Sequence, residues 1–355
     1  MKFTQNKTKK YQLSILTTAI LSALSMPSEA YYNFDVNENF TIRVLEPSDD
    51  PITEGGNTIK SEFNLDDNYI KAIQIGFGYW NDILKNNITN KALILVSTNE
   101  IPDSNAGASS EILKDLTGSD AKWNTYTALT ATIYQPNDDH KEWTNDDASG
   151  FILIDRDETY DVDAGTDWQF DVMTNLPESK GGSNLPSTLV HELAHAFGLL
   201  SDMADPNSTG SDYAQLESAG KFSNGLRDIY GNSLSVGQDI VDKAHHTEGD
   251  GNFVLDNTDG AYTGLYFTGK YTQEVLNGAY IDLPSDANEN LPAVQGIPIN
   301  SYEGDEADFS HLELQNALMS HQNYRNWNIL MEAELAVMQD CGLILDRKNL
   351  YGYSI

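Results

Sequence analysis

The stretch STLVHELAHAFGLLSDM, Ser187 to Met203, decides how the rest of the chain is read. His191 and His195 are four residues apart, so on a helix both imidazoles project from one face and can reach a single ion. Glu192, next to His191, points beside that ion, where a carboxylate can take a proton from an attacking water and later pass it to a leaving amine. Neutral imidazole suits Zn²⁺, and a catalytic zinc site keeps three protein ligands and an open position for water, whose pKa falls to about 7. Gly198, three residues after His195, marks a break, because glycine takes positive φ without strain and lets the chain turn back under the helix end. The third ligand is missing from the stretch: the position three past Gly198 is Ser201. Asp202, His245, His246, His311 and His321 are the remaining candidates. Asp202 would be a short, hard ligand, whereas His245 and His246 sit in the polar VDKAHHTEGDGN and read as solvated surface histidines.

Upstream, FTIRVL (Phe40 to Leu45) alternates like a strand, and IKAIQIGFGYWNDIL (Ile70 to Leu84), opened by Asp66 and Asp67, has helical apolar spacing. KALILVST (Lys91 to Thr98), TALTATIYQ (Thr127 to Gln135) and GFILID (Gly150 to Asp155) read as strands. LPESKGGSNLPS is a loop by composition and leads into a helix from about Leu189 to Leu200. Strands interleaved with helices describe an α+β fold, an open mixed sheet with helices packed on it. From Ser201 to about Asp308 the chain is rich in Gly, Asn and Asp and reads as irregular, with a short helix at TQEVLNGAY. In NWNILMEAELAVMQDCG the residues Trp327, Leu330, Ala333, Val337 and Cys341 share a helical face, and Gly342 supplies the stop.

Composition narrows the function classes. Of 355 residues, 54 are Asp or Glu against 21 Lys or Arg, a formal charge of −33. A surface this acidic repels nucleic acid and anionic lipid, so a nucleic-acid partner is not expected. Residues 1–30 combine a basic start (Lys2, Lys7, Lys9, Lys10), the apolar run LSILTTAILSALS and a small-residue end at Ala30, the pattern of a secretory signal. The mature chain, 31–355, is therefore expected to be secreted and not inserted in a membrane. The single cysteine, Cys341, leaves no internal disulfide and reads as a packed core thiol. The acidic segments DRDETYDVDAGTDWQFD and EGDGNFVLDNTDG have a chemistry compatible with Ca²⁺, but neither has the spacing of an EF-hand loop, and in so acidic a chain they read as solvated loops.

HELAHAFG resembles the metzincin zinc proteases, which normally place a third histidine three residues after the glycine. In leishmanolysin-like metzincins a long insertion separates that glycine from the third histidine, which lies in an SHW-type segment shortly before an LM turn. Here SHLE is followed by ALMS, the preceding YFTGKYTQEVLNGA and AVQGIPIN are similar to the segment before that histidine, and MEAELAVMQDCGLILD is similar to the family's final helix. The closing segment also resembles a stretch found near the start of some bacterial autotransporter proteins.

The resemblance runs from about Gly150 to the C-terminus. It implies His311 as the third ligand, with Ser201 to Ser310 as the insertion, and Met319 as the methionine of the turn beneath the metal. It also suggests His321 as a donor to the developing oxyanion, where several metzincins carry a tyrosine. The implied architecture is metzincin-like: residues 31–200 form a twisted mixed sheet with two helices, and residues 201–355 form an irregular subdomain that ends in a helix. The implied function is that of a zinc endopeptidase acting on protein or peptide substrates, with an extended peptide adding to GFILID as edge strand. Two competing readings are a non-catalytic adhesin or binding module on a protease fold, and a zinc hydrolase whose third ligand is Glu332 or Glu334 of the last helix.

Overall fold

A computed structural model describes residues 31–54, 57–84, 88, 90–99, 106–110, 127–134, 148–155, 168–170, 184–204, 212–218, 220–256, 264–276, 296–299, 309–314, 317–320, 330–345 and 347. Residues 1–30, where a secretory signal is expected, most of the acidic segment after Asp155, Trp327 and His321 lie outside the described residues.

The first half is built on five strands in the order β1 (Tyr31–Asp35), β2 (Phe40–Leu45), β5 (Ala92–Asn99), β7 (Gly150–Asp155) and β6 (Ala106–Ser109), with the small β3 (Ile52–Glu54) and β4 (Asn57–Ile59) paired apart from it. β2, β5 and β7 run parallel, while β1 and β6 are antiparallel to their neighbours, so the sheet is mixed. The almost wholly buried β5 suits its central place, since a strand covered on both faces needs no polar alternation. GFILID is thus an inner strand, and the edge is AGAS; this corrects the expectation that GFILID forms the edge. Four small residues carry no alternating apolar signal, and short edge strands commonly look like that.

Three helices, rather than the expected two, accompany this sheet among the described residues: α1 (Asp67–Ile83), α2 (Ala128–Tyr134) and α3 (Leu185–Ala196). α1 starts where its acidic opening predicts, with Asp66 accepting from the backbone N–H groups of Asn68 and Tyr69. The extra helix is TALTATIYQ, whose threonines read as a strand. In the fold Thr127 Oγ1 accepts from Thr130 N, and Thr130 Oγ1 donates to Phe197 O at 2.8 Å, so the hydroxyls cap and dock a helix rather than favour a strand. Leu129 and Ile133, one turn apart, are fully buried.

α3 begins four residues before the expected Leu189. Asn184 caps it by accepting from Ser187 N, and Pro186 occupies the first turn, where no backbone donor is needed. All twelve of its residues are buried. α1 crosses it at Gly76, where a Cβ would stand 2.9 Å from Leu189 Cβ and 3.0 Å from Pro186 O, and Trp80 Nε1 donates to Val190 O at 3.0 Å. The main core gathers Phe40, Phe77, Trp80 and Phe197 from the first half with Phe222, Phe267, Met319 and Leu335 from the second.

After α3 the elements are short, as the composition suggests: β8 (Asp202–Ala204), β9 (Gln215–Ser218), α4 (Lys221–Gly225), β10 (Leu226–Arg227), β11 (Ile240–Asp242), β12 (Phe253–Leu255), β13 (Tyr266–Phe267), α5 (Lys270–Leu276), β14 (Ile297–Pro298) and α6 (Glu332–Asp340). β10, β13 and β14 form a three-stranded sheet. Asp340 at the end of α6 accepts from Tyr271 N and from both Thr272 N and Thr272 Oγ1, anchoring the start of α5. Cys341 is buried, and burial pushes its thiol well above the ordinary range, in keeping with a packing role. No helix among the described residues is long and apolar enough to cross a membrane.

Candidate metal centre

α3 presents His191 and His195 one turn apart, and its end fixes the second of them. Gly198 adopts φ +122°, Gly198 N donates to His195 O, and Leu199 N donates back to Ala194 O. This is a Schellman closure, and it requires a residue free to take positive φ. The reversed chain brings Leu199 O within 2.7 Å of His195 Nδ1. His191 Nδ1 meets a second carbonyl, Leu318 O, also at 2.7 Å. A carbonyl oxygen only accepts, so in the neutral rings both Nδ1 atoms carry the proton and both Nε2 atoms are bare lone pairs.

The third nitrogen arrives from the far end of the chain. Leu312 bridges Ile299 in antiparallel fashion, Glu313 N donates to Pro298 O at 2.7 Å, and Leu312 N donates to Met319 O at 2.8 Å. His311 is thereby held over the two helix histidines: its Nε2 lies 3.1 Å from His191 Nε2, which lies 3.0 Å from His195 Nε2. The ring of His311 is nearly parallel to that of His191 and nearly perpendicular to that of His195.

Bare lone pairs at such distances repel unless a cation or an added proton stands between them. Nitrogens held about 2.0–2.1 Å from a tetrahedral ion would be roughly 3.3 Å apart, within a few tenths of an ångström of the spacing here. The donor set therefore fits a metal ion. His191, His195 and His311 are the only metal-competent cluster of His, Cys, Asp or Glu among the described residues. His191, Glu192 and His195 are buried, and His311 is half-buried.

The other candidates are engaged elsewhere. Glu334 is fully buried and accepts from Met319 N and Met331 N, while Glu332 pairs with Arg347 at 3.2 Å. Neither joins the histidines. His245 bonds Asp242 at 2.8 Å and His246 faces Asp250, in the polar loop where they were expected. The backbone of Asp202 belongs to β8 and pairs with that of Ser218, while its side chain lies outside what is described. Met319 is fully buried, in the turn that receives both His191 and Leu312. The chain entering α6 is held from α1: Tyr79 Oη accepts from Leu330 N at 3.1 Å, and burial, with Glu334 nearby, pushes its phenol up to about 12. Of the calcium-compatible segments, the described part of EGDGNFVLDNTDG folds on itself, Asp250 accepting from Thr247 N and Asn252 N.

Sequence reasoning missed Glu334 as a contact of the methionine turn and missed the two carbonyls that orient the rings. A carboxylate three residues after Met331 at the start of an apolar helix is the spacing of a capping box, and that was the available signal. The carbonyls carry no side-chain signature.

The chain matches no family model, no curated protein and no solved structure.

Proposed function

We propose that the protein is a secreted zinc-dependent endopeptidase that hydrolyses peptide bonds of proteins, with His191, His195 and His311 as the metal ligands and Glu192 as general base. The observation that carries this reading is the convergence of three Nε2 lone pairs, from rings oriented by Nδ1 hydrogen bonds where those are described, beside a buried carboxylate one residue from a ligand. Nitrogen-only ligation is what zinc accepts and what calcium or magnesium does not. A bound zinc ion supplies Lewis acidity, acidifying water and polarising the scissile carbonyl.

The protein's own groups supply the rest. Glu192 takes the proton of the attacking water and delivers it to the departing amine, so that nitrogen leaves neutral. Leu318 O and Leu199 O hold the helix rings in one tautomer and orientation. β6 stands last in the described strand order and packs against α3, so an extended peptide adding to that side of the sheet would lie alongside the histidines. His321 stays a candidate donor to the oxyanion, two residues beyond Met319 in the sequence.

The test is metal content by mass spectrometry, with casein cleavage followed in parallel, on the protein, His311→Ala and Glu192→Gln. One zinc per chain and chelator-sensitive cleavage are expected in the parent, loss of both in His311→Ala, and loss of cleavage alone in Glu192→Gln. Zinc without cleavage of any protein would favour a binding module, and equal zinc in His311→Ala would remove His311 as ligand.

A further inference from the structure

The turn under the histidines contains a chain of contacts that ends at a buried charge. The peptide group joining Leu318 to Met319 is used at both ends: its carbonyl accepts from His191 Nδ1 at 2.7 Å, and its N–H donates to Glu334 Oε1 at 2.5 Å. The next carbonyl, Met319 O, accepts from Leu312 N, the residue after His311. Glu334 Oε2 takes Met331 N at 2.5 Å, so the carboxylate bridges the turn and the start of α6. Leu318, Met319 and Glu334 are all fully buried, and in such surroundings hydrogen bonds polarise one another more strongly than in water.

We infer that Glu334 is a positioning residue for the metal centre, acting on His191 through the Leu318–Met319 peptide and on His311 through the same turn. A carboxylate at the peptide N–H draws electron density toward the carbonyl oxygen, which becomes a better acceptor for His191 Nδ1–H. A ring that gives up more of that proton has a more basic Nε2. Carboxylates that contact a ligating histidine directly do the same; here one peptide group stands between. Glu334 also fixes the turn whose Met319 carbonyl sets the position of Leu312, so one side chain governs two of the three nitrogens. This inference rests on the three-histidine reading of the site.

The experiment compares zinc affinity, by competition with a chromophoric chelator, in the full-length protein, Glu334→Gln, Glu332→Gln and His311→Ala. The cobalt-substituted proteins are compared by visible absorption. Glu334→Gln keeps the volume but removes the charge and puts a donor where an acceptor is needed. A loss of about tenfold or more with a shifted cobalt band, against an unchanged Glu332→Gln, is the expected result. An unchanged affinity and band in Glu334→Gln, with His311→Ala strongly weakened, overturns the relay and leaves the site. A parent that binds no zinc, or a His311→Ala that binds it equally, overturns the site itself. If Glu334→Gln does not fold, ¹⁵N-methionine-labelled parent decides: metal addition should move the amide signals of both Met319 and Met331, which share the carboxylate, and two unmoved signals overturn the relay.

Discussion

Ser201 N donates to Ser310 Oγ at 3.3 Å, across 109 residues of sequence. Ser201 occupies the position where the metzincin pattern would carry its third histidine, and Ser310 precedes the histidine that stands over the site. The chain just after α3 and the chain just before His311 are thus joined by a hydrogen bond. Replacing Ser310 by Ala removes the acceptor. We expect a loss of about 1 kcal/mol in stability, read by denaturant titration, with zinc retained.

Glu192→Gln should retain zinc and lose at least about 100-fold in turnover, the usual contribution of a general base. Single-turnover cleavage of a fluorogenic peptide measures it, and turnover within a few-fold of the parent would remove Glu192 from the chemistry.

Gly198→Ala places a side chain at φ +122°, a backbone state that costs about 1–3 kcal/mol for residues with a Cβ. Space is not the obstacle, since the nearest atom to the new Cβ would be Thr127 Cγ2 at 3.6 Å. Because the same turn delivers Leu199 O to His195, stability and zinc affinity should fall together. Gly76→Ala should cost a similar 1–3 kcal/mol by overpacking against Leu189 and Pro186. The contrast between a strain defect and a packing defect is visible in whether zinc affinity changes.

Chelation should lower the melting temperature of the parent, because an ion that binds only the folded chain stabilises it in proportion to the logarithm of its concentration. Differential scanning calorimetry with and without saturating zinc should show the difference in the parent and little or none in His311→Ala.

Alkaline pH should destabilise the fold through Tyr79, whose phenol is raised from 10.0 to about 12 by burial. A raised folded value means that the stabilising contribution is complete below pH 10, where the unfolded tyrosine is also neutral, and is lost as pH climbs toward 12. The loss should be on the order of 1–2 kcal/mol after allowance for solvent screening. Tyr79→Phe should flatten that part of the stability profile, and an unchanged slope between pH 10 and 12 would show that Tyr79 does not set it.

The sequence made the helices that carry strong end signals readable. Asp66 before an apolar period, Gly198 after the histidines and Gly342 after Cys341 each appear in the fold as a cap or a positive-φ turn. His191 and His195 could be paired from their spacing alone, because helical periodicity puts them on one face. His311 could not: nothing local joins it to α3, and only the resemblance to a family suggested it before the fold brought the nitrogens together. Reading failed where tertiary contacts outweigh local preference. Thr127 and Thr130 spend their hydroxyls on capping and docking a helix that β-propensity disfavours, and AGAS becomes an edge strand by pairing with β7 rather than by any pattern of its own. The start of α3 was misplaced because proline in a first turn looks like a loop until its cap is seen.

The long separation between His195 and His311 also bears on when the site can come into being. A chain emerging from its N-terminus presents α3 early, yet two histidines and a carboxylate on one helix do not complete the ligand set. His311 must emerge, and after it Glu334, which grips the turn. Completion of the three-histidine site therefore waits until the chain has been made at least as far as Glu334, and a nascent chain that stops short of His311 holds only two of the three nitrogens.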